Sequence, residues 1–167
     1  MLKRHARGFT IVELLIVIVV IAILAAISVV AYNGIQTRAK NTKTINAAVQ
    51  WVKTLKLYNA DTGSWPSGSS CLGNTTTYGG QCWDGYSVSS SFITSMQPYI
   101  TNYPEPDATN VSNTNTRRGV LYYTNNSTQY HVYMLQIGSG SCPGIGATYI
   151  TTGTYSDGYY CQYNLAG

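Results

Sequence analysis

The chain is poor in charged residues and in histidine. Lys, Arg, Asp and Glu together make up 10% of its 167 residues, and only two histidines occur. Three of the ten basic residues lie within residues 1–8, so the rest of the chain has seven basic residues against six acidic ones, about +1. This balance gives no strong basic field, and charge therefore does not imply nucleic-acid binding.

Residue patterns that carry catalysis or bind cofactors are also lacking. No paired-carboxylate or nucleophile–base signature is present. The glycine-rich segment 138–146 does not form a GxGxxG pattern and opens no helix, so a phosphate site is not indicated. The acidic residues are scattered and lack EF-hand spacing. We therefore expect no enzymatic activity and no cofactor.

Proline is missing between Phe9 and Trp65, which permits one long helix over residues 9–60. At 1.5 Å per residue this helix would be roughly 78 Å long. Its second half is amphipathic, with apolar residues at three- and four-residue spacing: Ile35, Ala39, Ile45, Ala48, Val49, Val52 and Leu55. We expect this stripe to pack on a sheet. Asn33-Gly34 is the weakest point of the helix, and local unwinding is expected there.

The first half of the helix contains a membrane-length apolar run with a carboxylate at its start. Residues 14–30 are interrupted only by Ser28 and would span roughly 26 Å, close to a hydrocarbon core. Glu13 at the mouth of this run costs roughly 2–3 kcal/mol unless it finds a partner or stays at the interface. A secretory signal peptide would have a shorter run. A plain membrane anchor fits the length but leaves Glu13 unexplained.

A third interpretation accounts for the charge. The string RGFTIVELL resembles the processing signal of type IV prepilins, with a basic leader ending in Gly8, an aromatic Phe9 and Glu13 as fifth mature residue. The resemblance covers residues 1–60. It implies that prepilin peptidase cleaves between Gly8 and Phe9 and N-methylates Phe9. It also implies that Glu13 pairs with the Phe9 ammonium of a neighbouring subunit. Pairing within one chain and a position at headgroup level are alternatives.

Strand-rich runs occupy the C-terminal part of the chain. Aromatic and β-branched residues dominate 119–124, 129–137, 147–151 and 159–164. The residues NNST join the first two runs, and Asp157-Gly158 before the last run predicts a type I′ turn. We expect a four-stranded antiparallel meander, preceded by a short helix over 91–97.

The fold class is therefore α+β, a long N-terminal helix packed on a C-terminal antiparallel four-stranded sheet, as in pilins. Residues 1–8 would be a cleaved leader. Residues 9–60 would form the helix that serves as membrane anchor (about 11–31) and filament core, and residues 61–167 a globular head.

The four cysteines all fall in the expected head: Cys71, Cys82, Cys142 and Cys161. Their place beyond a membrane segment indicates an oxidising exterior and two disulfides. Three pairings are possible, and we favour Cys71–Cys82 with Cys142–Cys161 because each closes a local loop. Zinc binding would compete, but no CxxC pair or clustered His supports a metal site. By resemblance, Cys142 and Cys161 would bracket an outward contact surface over 143–160.

The fifteen tyrosines favour a role in β-strands and packing. An adhesive surface is the more specific alternative for their role. The resemblance implies a major subunit of a type IV pilus, a homopolymer that serves attachment or twitching motility. Its partners would be prepilin peptidase, a platform protein and an assembly ATPase. The precursor would cross the cytoplasmic membrane once and later reach the cell surface. A minor pilin, a type II secretion pseudopilin and a membrane-anchored surface-binding module are the alternatives.

Overall fold

The computed structural model describes residues 8–125 and 128–166. Residues 1–7 of the expected leader, and residues 126 and 127 of the expected NNST turn, lie outside the described residues. The helices and strands follow in the order α1 (Ile11–Thr62), β1 (Ser70–Cys71), α2 (Thr75–Tyr78), β2 (Gln81–Trp83), β3 (Tyr86–Ser87), α3 (Ser90–Met96), β4 (Val120–Thr124), β5 (Tyr130–Ile137), β6 (Thr148–Thr154) and β7 (Gly158–Asn164).

The chain divides into two compact units, Met1–Gln36 and Thr37–Gly167. In the first unit, every described residue is exposed. By length and composition, α1 is the helix of the described chain that could cross a membrane. It runs through Asn33 and Gly34 as regular α-helix, so the expected local unwinding is absent there. The penalty of one glycine, about 1 kcal/mol, does not break a long cooperative helix.

The second unit has its core between the later turns of α1 and the sheet. Trp51 is fully buried, stacks on Tyr103 at 5.8 Å and donates its indole N–H to the Pro104 carbonyl at 2.9 Å. The expected apolar stripe is right for Ala48, Val52 and Leu55, which are buried. It is wrong at its start, where Ile35 and Ala39 are exposed, and it omits two buried residues, Ala47 and Trp51. Burial on the head sheet, rather than apolar character alone, decides which positions face inward.

The main sheet is antiparallel and has five strands in the order β1-β4-β5-β7-β6. The fold class is confirmed, but two details of the expected sheet are wrong. Ser70–Cys71 adds a short fifth strand beside β4. The sheet is also not a simple meander, because β7 lies between β5 and β6. Strand β7 alternates buried Tyr159, Cys161 and Tyr163 with less buried residues, so the interior of the sheet is its favoured position.

The β6–β7 turn also differs from the expectation. A type I′ turn at Asp157-Gly158 requires positive φ at both residues, and Gly158 does not adopt it. The turn is closed around Ser156-Asp157, where the Tyr155 N–H donates to the Gly158 carbonyl at 2.7 Å, and it also contacts neighbouring segments. The Asp157 N–H donates to the Val111 carbonyl at 3.2 Å, and the Gly138 N–H donates to the Asp157 carbonyl at 2.8 Å. Tertiary hydrogen bonds thus replace the local preference of the Asp-Gly pair.

The predicted short helix is confirmed as α3, one residue earlier at each end than expected. Its N-cap is Ser89, whose hydroxyl accepts from the Phe92 N–H at 3.4 Å. Phe92 and Met96 are buried on one face, and Phe92 packs against Trp51 and Tyr122. The helix therefore closes the core beside the last turns of α1.

Candidate functional site

The start of α1 is organised around Thr10 and Glu13. The Thr10 N–H and hydroxyl both donate to Glu13 Oε2 at 2.8 Å. In return, the Thr10 hydroxyl oxygen accepts from the Glu13 N–H at 3.2 Å. Because α1 begins at Ile11, Thr10 is the N-cap and Glu13 the third helical residue. This reciprocal pair is a capping box, which satisfies two backbone donors that a helix start leaves free.

The sequence itself contains a signal for this arrangement. Thr10 and Glu13 stand in the T-x-x-E spacing of a capping box directly before an apolar run. In a single chain, the carboxylate thus already has a partner, namely the N-cap residue. Among the described residues, none donates a hydrogen bond to Glu13 Oε1, and the side chain is exposed.

Gly8 and Phe9 precede this capping box and are fully accessible. A Cβ atom at Gly8 would meet nothing within 4 Å, and Phe9 is 80% exposed. Both residues lie before the first helical turn. A peptide bond in an accessible, non-helical segment can enter a protease cleft without unfolding of the neighbouring helix.

The apolar half of α1 presents a continuous exposed hydrophobic surface. The side chains of Ile11, Val12 and the aliphatic residues up to Val30 are exposed by about half or more. Surfaces of this extent are covered by a membrane or by other protein chains. The carboxylate of Glu13 lies at one end of this surface, where it is the only charge between residues 8 and 37.

Both disulfides of the head have the local pairing. Cys71 is joined to Cys82 with Cα atoms 5.8 Å apart, and Cys142 to Cys161 with Cα atoms 5.6 Å apart. The second disulfide joins the segment before β6 to the interior strand β7. In the same segment, the Tyr163 hydroxyl donates to the Pro143 carbonyl at 2.6 Å. Burial raises the pKa of Tyr163 to about 12, so this hydroxyl remains protonated well above neutral pH.

A packed ring network lies on the face of the sheet opposite α1, and it consists of Trp83, Tyr86, Tyr123, Tyr133, Tyr155 and Tyr160. The Trp83 ring lies 5.1 Å from Tyr133 and 5.9 Å from Tyr160. Arg117 lies over the Trp83 ring at 4.5 Å and forms an ion pair with Asp84 at 2.9 Å. Because the rings contact one another, much of the tyrosine content serves packing.

His131 lies beside this ring network in β5. Its Nδ1 lies 2.9 Å from Nε2 of Gln162, and partial burial lowers the pKa of the imidazole. Within residues 8–125 and 128–166, no cluster of His, Cys, Asp or Glu is arranged to hold a metal ion.

Comparison with known proteins shows which proteins the N-terminal part of this chain is similar to. Residues 3–29 match the family model of the prokaryotic N-terminal methylation motif. The chain is 37% identical to the fimbrial protein EcpC of Eikenella corrodens over 48% of this chain and 53% of that protein. It is 39% identical to the type IV wide pilus major component PilA4 of Thermus thermophilus over 41% of this chain and 53% of that protein.

A secretion protein also matches. The type II secretion system core protein G of Dickeya chrysanthemi is 31% identical over 43% of this chain and 47% of that protein. The chain thus spans about half the length of the curated relatives that it matches. No solved structure matches it.

The fold and these matches define the class of proteins in which an N-terminal methylation motif precedes a long apolar helix. The matches to type IV pilin and fimbrial proteins support a type IV pilin with a class III signal at its N-terminus. Members of this family are in general processed by prepilin peptidase and polymerise. The signal and the long apolar helix fit a membrane-anchored precursor that later becomes part of a surface filament.

Proposed function

We propose that this chain is the major structural subunit of a type IV pilus and polymerises through the first half of α1. One observation carries the proposal: the apolar residues of this segment are all exposed, with the Glu13 carboxylate at their start. A membrane covers such a surface before assembly, and packed copies of the same helix cover it afterwards. The chain would act in attachment or motility, without enzymatic activity of its own.

Processing would prepare the N-terminus for this role. Prepilin peptidase would cleave between Gly8 and Phe9 and methylate the new amino group. The open surroundings of Gly8 support access to this bond. Cleavage would give a leader of residues 1–8 and one mature chain. In the mature chain, residues 9–60 would form the helix for anchoring and filament core, and residues 61–167 the disulfide-containing head. The assembly ATPase and platform protein would supply the work of extension.

Glu13 would have two partners in succession. In the single chain its Oε2 accepts from Thr10, which satisfies free donors at the helix start but leaves the negative charge unbalanced. In the polymer the Phe9 ammonium of a neighbouring copy would balance the charge through Oε1. A carboxylate packed among apolar helices without a cation is strongly unfavourable, whereas a paired one is tolerated, so only the correct stagger of neighbouring helices would be stable.

Two substitutions at Glu13 separate these roles. Glu13→Ala removes both the cap and the charge, whereas Glu13→Gln keeps an acceptor of capping-box type without the charge. We expect both variants to be cleaved and methylated but to give far fewer filaments. The measurement is mass spectrometry and quantitation of material sheared from cells, with Thr10→Ala as the variant that removes only the cap. Normal filament numbers for Glu13→Gln would contradict the charge-pairing role.

The same measurement addresses the alternatives. An abundant sheared species beginning at N-methylated Phe9, without free thiols, supports the major pilin. Processed protein confined to the membrane fraction would favour a minor pilin or a pseudopilin, an assignment that the similarity to the secretion protein G supports. A chain that retains residues 1–8 would favour a membrane-anchored surface-binding module.

A further inference from the structure

One edge of the main sheet is long and unpaired within the described chain. Strand β6 (Thr148–Thr154) is last in the strand order and pairs with β7 alone. Its residues are exposed except for the half-buried Gly153. The opposite edge is β1, which has two residues, both buried. The short edge is therefore shielded, whereas the seven-residue edge presents its outward backbone N–H and C=O groups to solvent.

Charge and proline, which commonly guard such edges against pairing, are missing from β6. No Lys, Arg, Asp or Glu occurs between Gly119 and Ser156, and Asp157 is the one such residue in the last 49 positions. The sequence of β6 also has no proline. An irregularity of register between Tyr149 and Thr151 is a guarding device that the strand does have. Edges that lack charge and proline are nevertheless open to pairing with further strands.

The strand is also held in place, which lowers the entropic cost of pairing. The Thr152 hydroxyl donates to the Tyr160 carbonyl at 2.6 Å. The Tyr149 ring contacts the Tyr163 ring edge-on at 6.1 Å, although half of Tyr149 remains exposed. A preformed strand loses little conformational freedom when a partner binds.

We propose that β6 is a self-association site, at which two copies of this chain pair antiparallel through their β6 edges. A strand edge is what satisfies the free backbone groups of another strand edge, and two neutral edges meet without repulsion. Full overlap of two β6 strands places Thr151 opposite Thr151 about a two-fold axis.

The proposed pairing would act in addition to polymerisation through α1. It uses a different unit of the chain, and it does not require that filaments form. In a polymer that displays β6 outward, the same contact would join neighbouring filaments side by side. Asp157 lies beyond the end of β6, so the Asp157 carboxylates of the two copies would not face each other in this register.

The test uses charge exchange at Thr151, which is exposed at the centre of β6. The full chain and its variants Thr151→Lys and Thr151→Glu are studied in mild detergent by sedimentation velocity. Each variant alone brings two like charges together at the two-fold axis, and we expect dimerisation to weaken roughly fivefold or more. An equimolar mixture places Lys opposite Glu, and we expect the heterodimer to recover wild-type affinity. Thr101→Lys, which adds the same charge at an exposed loop position, should dimerise as the wild type does.

The charge exchange separates edge pairing from other causes of association. Contacts between apolar helices in detergent would be equally strong in all variants, and that result would overturn the proposal. Weakening by both single variants without recovery in the mixture would overturn it as well, since local damage cannot be repaired by mixing. A wild-type chain that remains monomeric at all concentrations would do the same. Free-thiol counts of zero in every variant establish that the head retains both disulfides.

Discussion

Removal of the Cys142–Cys161 disulfide should destabilise the head by about 3 kcal/mol. The cysteines are 19 residues apart in sequence, and the loop-closure relation gives about 3.2 kcal/mol at 25 °C for a loop of this length. The Cys71–Cys82 loop is shorter, 11 residues, and the same relation gives about 2.8 kcal/mol. We therefore expect Cys142→Ala with Cys161→Ala to lower the free energy of unfolding slightly more than Cys71→Ala with Cys82→Ala.

The assay is denaturant unfolding of the full chain in mild detergent, followed by tryptophan emission. All three tryptophans, Trp51, Trp65 and Trp83, lie in the unit that begins at Thr37, so the signal reports the head. Loss of a cross-link also exposes more surface in the denatured chain, and the slope m should rise slightly. A loss below about 1 kcal/mol for either pair, in a cooperative transition, would refute the chain-entropy reasoning for this head.

Two further predictions concern single residues, with the same emission signal as readout. Gly119→Ala should lower the stability by at least about 2 kcal/mol, because φ is +68° and the new Cβ would lie 2.4 Å from the buried Tyr78 hydroxyl. The control Gly63→Ala has a similar φ of +72° but open space, so equal losses would contradict the role of the clash. Stability should also fall as the pH is lowered from 7 to 5. Burial lowers the pKa of His131, so the unfolded chain binds the proton first and the stability present above the unfolded pKa is lost toward acid pH. His131→Phe should remove this dependence, and an unchanged pH profile would contradict it.

The longer elements of the fold could be predicted from the sequence, because each has a strong local signal, whereas the short elements β1, α2, β2 and β3 were not expected. The absence of proline between Phe9 and Trp65 indicated the long helix, and the aromatic and β-branched runs indicated β4 to β7. The order of the strands could not be predicted, since periodicity gives the inward face of a strand but not its neighbour. The position of β7 inside the sheet depends on three buried residues that meet the core formed by α1.

Local signals failed where tertiary contacts outweigh them. The Asp157-Gly158 pair favours a type I′ turn by itself, but hydrogen bonds to Val111 and Gly138 select another conformation. Trp51 was omitted from the apolar stripe, although its indole N–H finds the Pro104 carbonyl when buried. The spacing of Thr10 and Glu13 already indicated a capping box. It was missed because the interpretation considered only the charge of Glu13 and the cation that would balance it.

The distribution of charge along the chain links the proposed polymer to its proposed surface contacts. Five of the seven basic residues after residue 8 lie on α1, at positions 38, 40, 43, 53 and 56. The sheet region after Gly119 has one carboxylate, Asp157, and no basic residue. A filament that encloses its helices would therefore enclose most of its positive charge and display a nearly neutral sheet. With little electrostatic attraction or repulsion available there, selectivity on the outside must depend on backbone edges, hydroxyl groups and tyrosine rings. Strand β6 combines all three, which is why a single charge at Thr151 is expected to have so large an effect.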